Sequence, residues 1–265
     1  MSLLGTAKES AMSTIFITGA SSGIGRATAE RFLEGKWRVV AAGRREERLR
    51  ALAEKHPGMV LPLTLDVRDK DAVNAAFASL PAPFDAIDAL VNNAGLALGV
   101  EPAQACNPDD WNVMVDTNIK GVLHCTRAVL PLMTARNAGH IVNLGSIAGS
   151  YAYVGGNVYG ATKAFVEQFS RNLRCDLHGT NVRVTNIEPG LLETEFTLVR
   201  LKGNAEKAAE LYEGAEPLHP EDIAECIWWA VNRPPHVNIC RIEVMPVCQR
   251  NGATEVWRGA PKKPA

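Results

Sequence analysis

Apolar positions along the chain alternate between two patterns. Short runs of β-branched and apolar residues occur at 14–18, 37–42, 59–65, 87–91, 140–144, 182–187 and 239–244. Continuous runs of this kind, bounded by glycine and polar residues, predict strands buried on both faces. Between them, apolar residues recur with helical spacing at 26–33, 69–80, 108–136, 157–177 and 220–231. Pro131 lies inside the third of these helical stretches and predicts a kink or a local break there. Pro220 suits the first turn of the last one, and Glu221 and Asp222 suit its dipole. Residues 191–214 break the rhythm and read as a mobile loop with a short helix, a lid. Strand followed by helix, repeated with one strand at the end, predicts an α/β fold: a single-domain, doubly wound parallel sheet of Rossmann type. Residues 1–12 read as an N-terminal extension, 13–250 as the domain and 251–265 as a loose tail.

In such a sheet, ligands bind beyond the carboxyl ends of the strands. The first strand ends in Gly19-Ala20-Ser21-Ser22-Gly23-Ile24-Gly25, just before a helix. Glycines there let the backbone approach a pyrophosphate, and the free helix N–H groups and the dipole favour its charge. The second strand ends at Arg44-Arg45 with no acid before them. An acidic residue at this point binds the 2′-hydroxyl of NAD, whereas arginines suit the 2′-phosphate of NADP. Arg48 and Arg50 read as the solvated face of a charged helix. Asp66 and Val67 end the third strand, where the adenine edge would lie. Asn92 and Asn93 end the fourth; side chains of this type cap backbone groups at least as often as they serve chemistry. Tyr159 and Lys163 are four residues apart at the start of a helix, so they share one face. An ammonium beside a phenol lowers the phenol's pKa, which predicts a tyrosine able to exchange a proton near neutrality. Asn118 is a poor helix former in mid-helix, which marks it for a purpose other than propensity.

Composition narrows the partners. The chain has 265 residues, 46% hydrophobic, and a net charge of −1. This gives no electrostatic reason for nucleic acid or an anionic membrane as partner, and no run is long enough to span a bilayer. The six cysteines are scattered with no Cys-x-x-Cys, so neither a disulfide framework nor a metal site is expected. The start of the chain has no secretory pattern, so a cytoplasmic location is expected.

Taken together, Thr18-Gly19-x-x-x-Gly23-Ile24-Gly25, Asn92-Asn93-Ala94-Gly95, Asn118, Ser146, Tyr159-x-x-x-Lys163 and Pro189-Gly190 resemble the short-chain dehydrogenases/reductases over residues 13–247. The segments 93–99, 155–165, 176–180, 236–239 and 245–247 resemble, within that family, the NADP-dependent 3-hydroxy acid dehydrogenases. That group acts on serine, allo-threonine and malonic semialdehyde. The resemblance implies Tyr159 as acid/base, Lys163 on the nicotinamide ribose and Ser146 on the substrate oxygen. It implies Asn118 as the holder of a proton-relay water. Asn93, Ala94 and Gly95 would line the cofactor, and residues 189–195, with Pro189, Gly190, Leu192 and Thr194 as cofactor contacts, would close over its nicotinamide end. It also implies a homotetramer through the two long helices. A 3-hydroxy acid needs a cation for its carboxylate, and Arg200 and Lys202 are both candidates. Reduction of another carbonyl substrate (a ketoacyl thioester, a sugar or a simple ketone) and a non-enzymatic NADP sensor remain open at this stage.

Overall fold

The computed structural model describes residues 12–252 and 255–259. All of the expected N-terminal extension except Met12 lies outside them. Seven strands form one parallel sheet: β1 (Thr14–Thr18), β2 (Arg38–Gly43), β3 (Val60–Thr64), β4 (Ile87–Asn92), β5 (Gly139–Leu144), β6 (Val182–Pro189) and β7 (Arg241–Val244). Their order in the sheet is β3-β2-β1-β4-β5-β6-β7. β1 has β2 on one side and β4 on the other, so the winding reverses there. That reversal opens a crevice at the strand carboxyl ends.

The continuous apolar runs have a simple cause, for the strands of the sheet interior feed two cores. Ile15, Ile17, Val39, Ala41, Ala89 and Val91 face one layer of helices. That layer holds α1 (Gly23–Glu34), α2 (Glu46–Lys55) and α9 (Pro220–Val231). The intervening Phe16, Val40, Ala42 and Leu90 face the opposite layer. It contains α3 (Lys70–Ala78), α5 (Gly121–Arg136) and α6 (Asn157–Asp176). Phe16 stacks on Phe77 with ring centroids 4.4 Å apart. Such aromatic pairs add about 0.5–1.5 kcal/mol beyond their buried area.

Three expectations of local structure need correction. The stretch 108–136 is not broken at Pro131. It is divided into α4 (Pro108–Val115), one π-helical turn (Asp116–Lys120) and α5, which runs through Pro131 to Arg136. Burial of Val129 and Met133 on either side of Pro131 offsets the single lost backbone bond. The wide turn instead surrounds Asn118, a position fixed by tertiary hydrogen bonds. The lid carries two short helices, α7 (Glu195–Arg200) and α8 (Ala205–Glu210), rather than one. Finally, the expected loose tail is tied down at residues 255–259. Val256 bridges Gln249, Trp257 donates its N–H to the Cys248 carbonyl at 2.8 Å, and Arg258 donates to the Leu211 carbonyl at 3.0 Å.

Candidate active site

The strand ends and the lid enclose a cleft of about 380 Å³. Glycines from four different strand ends, Gly19, Gly43, Gly145 and Gly190, form part of its wall. Gly19 has φ +68°, and a Cβ added there would stand 2.8 Å from the Asn93 amide nitrogen. A Cβ on Gly25 would stand 2.4 Å from the Gly19 carbonyl, so the start of α1 and the turn before it close on each other only without side chains. Thr18 and Asn93 brace this turn. The Thr18 hydroxyl accepts from Asn93 N–H (3.0 Å) and Ala94 N–H (2.9 Å), and the Asn93 amide donates to the Thr18 carbonyl (2.8 Å). Asn92 is buried in a polar chain with Thr126 and Asn143 and serves the core.

Beyond the glycine turn the cleft is cationic. Arg44 is exposed and lines the cleft; its side chain makes no hydrogen bond or ion pair among the described residues, and its charge acts on Asp66 from a distance. Arg45 donates to the hydroxyls of Ser21 (3.1 Å) and Ser22 and to Glu195 (2.7 Å). Arg48 is exposed, as expected of a solvated helix face, and from there pairs with the other oxygen of Glu195 at 2.7 Å. Arg50 keeps to its own helix, paired with Glu46. Leu65, Asp66 and Val67 form the adjoining wall. The Asp66 carboxyl is held below the usual carboxylate range, foremost by its hydrogen bond from Arg68.

At the other end Ser146, Tyr159 and Lys163 come together. Their source elements, the end of β5 and the first turns of α6, pack closely. A Cβ on Gly149 would meet Lys163 backbone at 2.8 Å. Ser146 Oγ accepts the Ala148 N–H at 3.1 Å and stands 3.5 Å from the Pro189 carbonyl. Burial pushes the Tyr159 phenol up to about 12, against a lowering by the Ser146 hydroxyl. Burial pushes the Lys163 ammonium down to about 8. The two do share a helix face, but Lys163 does not hydrogen-bond the phenol. Its Nζ donates to the Leu144 carbonyl at 2.7 Å and stays 5.9 Å from the tyrosine ring centroid. The lowering of the phenol expected from this spacing is therefore outweighed, in this geometry, by loss of solvent around Oη.

Most of the residues expected to hold a cofactor line the cleft: Gly19, Ser21, Ser22, Gly23, Ile24, Arg44, Arg45, Asp66, Val67, Asn93, Ala94, Gly95, Tyr159, Lys163, Pro189, Gly190, Leu192 and Thr194. Three expected site residues stand behind it. Ala20 is buried in the core, Gly25 abuts Gly19, and Asn118 is buried. Asn118 Oδ1 accepts from Leu96 N–H (2.9 Å), and Nδ2 donates to the Leu96 carbonyl (2.8 Å) and the Thr162 hydroxyl (3.0 Å). Its side chain positions the loop after β4 against α6, and Oδ1, with one hydrogen bond accepted, keeps a second lone pair that a water can use.

Glu195, the last residue of the stretch expected to close over the nicotinamide end, lines the cleft too, and so do Phe196, Val199 and Leu96, which escaped the sequence reading. Phe196 packs against Tyr159 with centroids 5.6 Å apart. The two candidate cations differ sharply. Lys202 is paired with Asp110 at 2.6 Å. Arg200 has no acidic partner among the described residues; it donates to the Gly99 (3.2 Å) and Gly155 (3.3 Å) carbonyls, and its guanidinium carbon is 5.6 Å from the Tyr159 ring centroid.

A glycine-walled cleft, cationic at one end and carrying a buried phenol at the other, fits a phosphorylated dinucleotide and an alcohol–carbonyl exchange. Among known proteins the same architecture recurs. The chain belongs to the short chain dehydrogenase family, whose model matches residues 13–204. It is 56% identical to the NADP-dependent 3-hydroxy acid dehydrogenase YdfG of Salmonella typhi, over 92% of this chain and 99% of that protein. It is 52% identical to the serine 3-dehydrogenase of Agrobacterium fabrum, over 92% of this chain and 98% of that one. A solved structure, the closed form of serine dehydrogenase complexed with NADP+, superposes with a TM-score of 0.89 at 52% identity, covering 92% of this chain and 99% of its own. No helix among the described residues is long and apolar enough to cross a membrane.

Proposed function

We propose that this protein is an NADP-dependent oxidoreductase that moves a hydride reversibly at C3 of short 3-hydroxy acids. The observation that carries the reading is the pairing of Tyr159 and Ser146 at one end of a cleft whose other end presents Arg44 and Arg45. The relatives named for serine and 3-hydroxy acids support the substrate class.

When bound, NADP supplies the hydride acceptor for oxidation and, once reduced, the donor for reduction. In oxidation Tyr159 Oη takes the proton of the substrate hydroxyl, and in reduction it returns it. The Ser146 hydroxyl makes only a long contact to Pro189, which yields readily to a substrate oxygen and lets Oγ stabilise charge developing there. Lys163 lies at the floor of the cleft with its charge directed at the end of β5, where it favours the phenolate and can reach a ribose hydroxyl. Phe196 and Val199 exclude water from the reacting end. Arg200 meets the substrate carboxylate. It is the candidate cation that lies beside Tyr159 and lacks an acidic partner, and guanidinium binds carboxylate in a fixed two-point geometry. The reading includes a homotetramer in the cytoplasm. The tetramer is supported by Leu132 on α5, 39% exposed, and by the stacked, half-buried Phe165 and Phe169 on α6.

The substrate class is tested by oxidation of 3-hydroxypropionate and its methyl ester. Arg200→Met is expected to raise KM for the acid about tenfold or more and to change the ester little. Lys202→Met, which removes a cation already paired with Asp110, is expected to leave both unchanged. Equal losses on acid and ester in Arg200→Met would mean that Arg200 only ties the lid to Gly99 and Gly155.

A further inference from the structure

Glu195 opens α7 and has no part in the roles assigned above. Its two carboxylate oxygens accept from Arg45 Nη1 and Arg48 Nη1, each at 2.7 Å. It lines the cleft at the end where Arg44, Arg45, Ser21 and Ser22 gather. It also borders a second, shallower basin whose walls carry Arg26, Arg48 and Lys55. Glu195 therefore stands between Arg45 and Arg48, while Asp66 is the other carboxylate at this end of the cleft, beside Arg44. Its carboxyl is held below the ordinary carboxylate range, first by the hydrogen bond from Arg45 and then by that from Arg48, so it is charged at neutral pH.

We propose that Glu195 is a latch on the lid, and that the 2′-phosphate of the cofactor releases it by competing for the Arg45 guanidinium. The proposal rests on NADP being the cofactor, the reading given above. Arg45 commits one side of its guanidinium to Ser21 and Ser22 and turns Nη1 to Glu195. Arg44 is the neighbouring cation, exposed and without a hydrogen bond or ion pair from its side chain among the described residues, so an entering phosphate meets it first. A phosphate held between Arg44 and Arg45 shares Arg45 with the Glu195 carboxylate. The two anions then lie well within a screening length of one another, and each weakens the other's hold. Once Arg45 turns to the phosphate, Glu195 keeps only Arg48, and an exposed pair of this kind holds weakly.

The consequence reaches the other end of the cleft. Glu195 is the first residue of α7, and the same helix carries Phe196 against Tyr159 and ends at Arg200 over the Tyr159 ring. A nucleotide lacking the 2′-phosphate leaves the latch fastened. The cofactor's identity, sensed at the adenosine end, is thereby coupled to the lid over the reacting end.

The test is equilibrium titration of the wild-type protein and Glu195→Gln with NADP+, NAD+ and adenosine 2′-monophosphate. Amide hydrogen exchange of residues 195–200 is followed in wild type with and without adenosine 2′-monophosphate, which cannot reach the reacting end. Glutamine keeps the shape and removes the charge. The variant is expected to bind NADP+ and adenosine 2′-monophosphate about three- to tenfold more tightly, with NAD+ affinity unchanged. Exchange at 195–200 is expected to quicken when wild type binds adenosine 2′-monophosphate. Unchanged or weaker NADP+ binding by Glu195→Gln, or exchange that does not quicken, would overturn the latch. Equal affinity of the wild-type protein for NADP+ and NAD+ is a separate result, one that would overturn the cofactor reading itself and the latch with it.

Discussion

Tyr159→Phe is expected to cut turnover in both directions by about 10²–10⁴-fold while leaving NADP binding nearly intact. Phenylalanine preserves the ring, which packs with Ala97, Met114 and Phe196, and removes only Oη. Nothing else in the cleft can take over the proton. Ser146 is an ordinary hydroxyl, and the Lys163 ammonium is committed to the Leu144 carbonyl. The pH dependence has a definite sign. Burial holds the phenol protonated well above neutrality, up to about 12, so the phenolate is the scarce form. Oxidation consumes phenolate and should gain rate as pH rises. Reduction consumes the neutral phenol and should lose rate only at the alkaline end. Steady-state rates across pH in both directions, together with the NADP dissociation constant of the variant, check both parts. A variant that binds cofactor normally yet retains most of its turnover would remove Tyr159 from the chemistry.

The second large effect is expected at the adenosine end. Arg44→Gln should weaken NADP binding about tenfold with little change for NAD, and Arg44→Gln with Arg45→Gln should weaken NADP binding about a hundredfold or more. Arg44 gives the cleaner experiment because its side chain makes no hydrogen bond or ion pair among the described residues that the substitution would break. Arg45 also steadies Ser21 and Ser22 in the glycine turn, so its loss disturbs the cradle as well as the charge. Parallel titrations with NADP and NAD separate the two contributions, since a disturbed cradle weakens both nucleotides and a lost charge weakens only one. Equal weakening of both by Arg44→Gln would remove Arg44 from 2′-phosphate recognition.

Much of this site was legible in the sequence because strand ends announce themselves. Gly19, Arg44, Asp66, Asn93, Ser146 and Pro189 each follow a run of apolar residues, and a parallel sheet brings all such ends to one rim. Helix periodicity likewise placed Tyr159 and Lys163 on one face. Periodicity does not say where a long side chain reaches. Lys163 extends to the Leu144 carbonyl instead of the phenol, so a pKa argued from spacing alone had the wrong sign for Tyr159. The break assigned to Pro131 was misplaced for a similar reason. Local propensity marks proline, whereas the π-helical turn at Asn118 follows from partners at Leu96 and Thr162 that are distant along the chain. The pairing of Glu195 was invisible for the same cause, its partners Arg45 and Arg48 lying at the far end of the sequence. The choice between Arg200 and Lys202 turned on Asp110, a residue with no motif of its own.

The central claim is hydride transfer to NADP from a short 3-hydroxy acid. Its most direct test is the initial rate of NADPH formation with L-serine, D-serine, L-allo-threonine, 3-hydroxyisobutyrate and 3-hydroxypropionate, repeated with NAD. Turnover of several of these acids with NADP, and rates about tenfold lower or less with NAD, is the result this account predicts. Silence across all five acids, with a bulkier uncharged ketone reduced by NADPH instead, would contradict the substrate class and leave Arg200 without a carboxylate to bind.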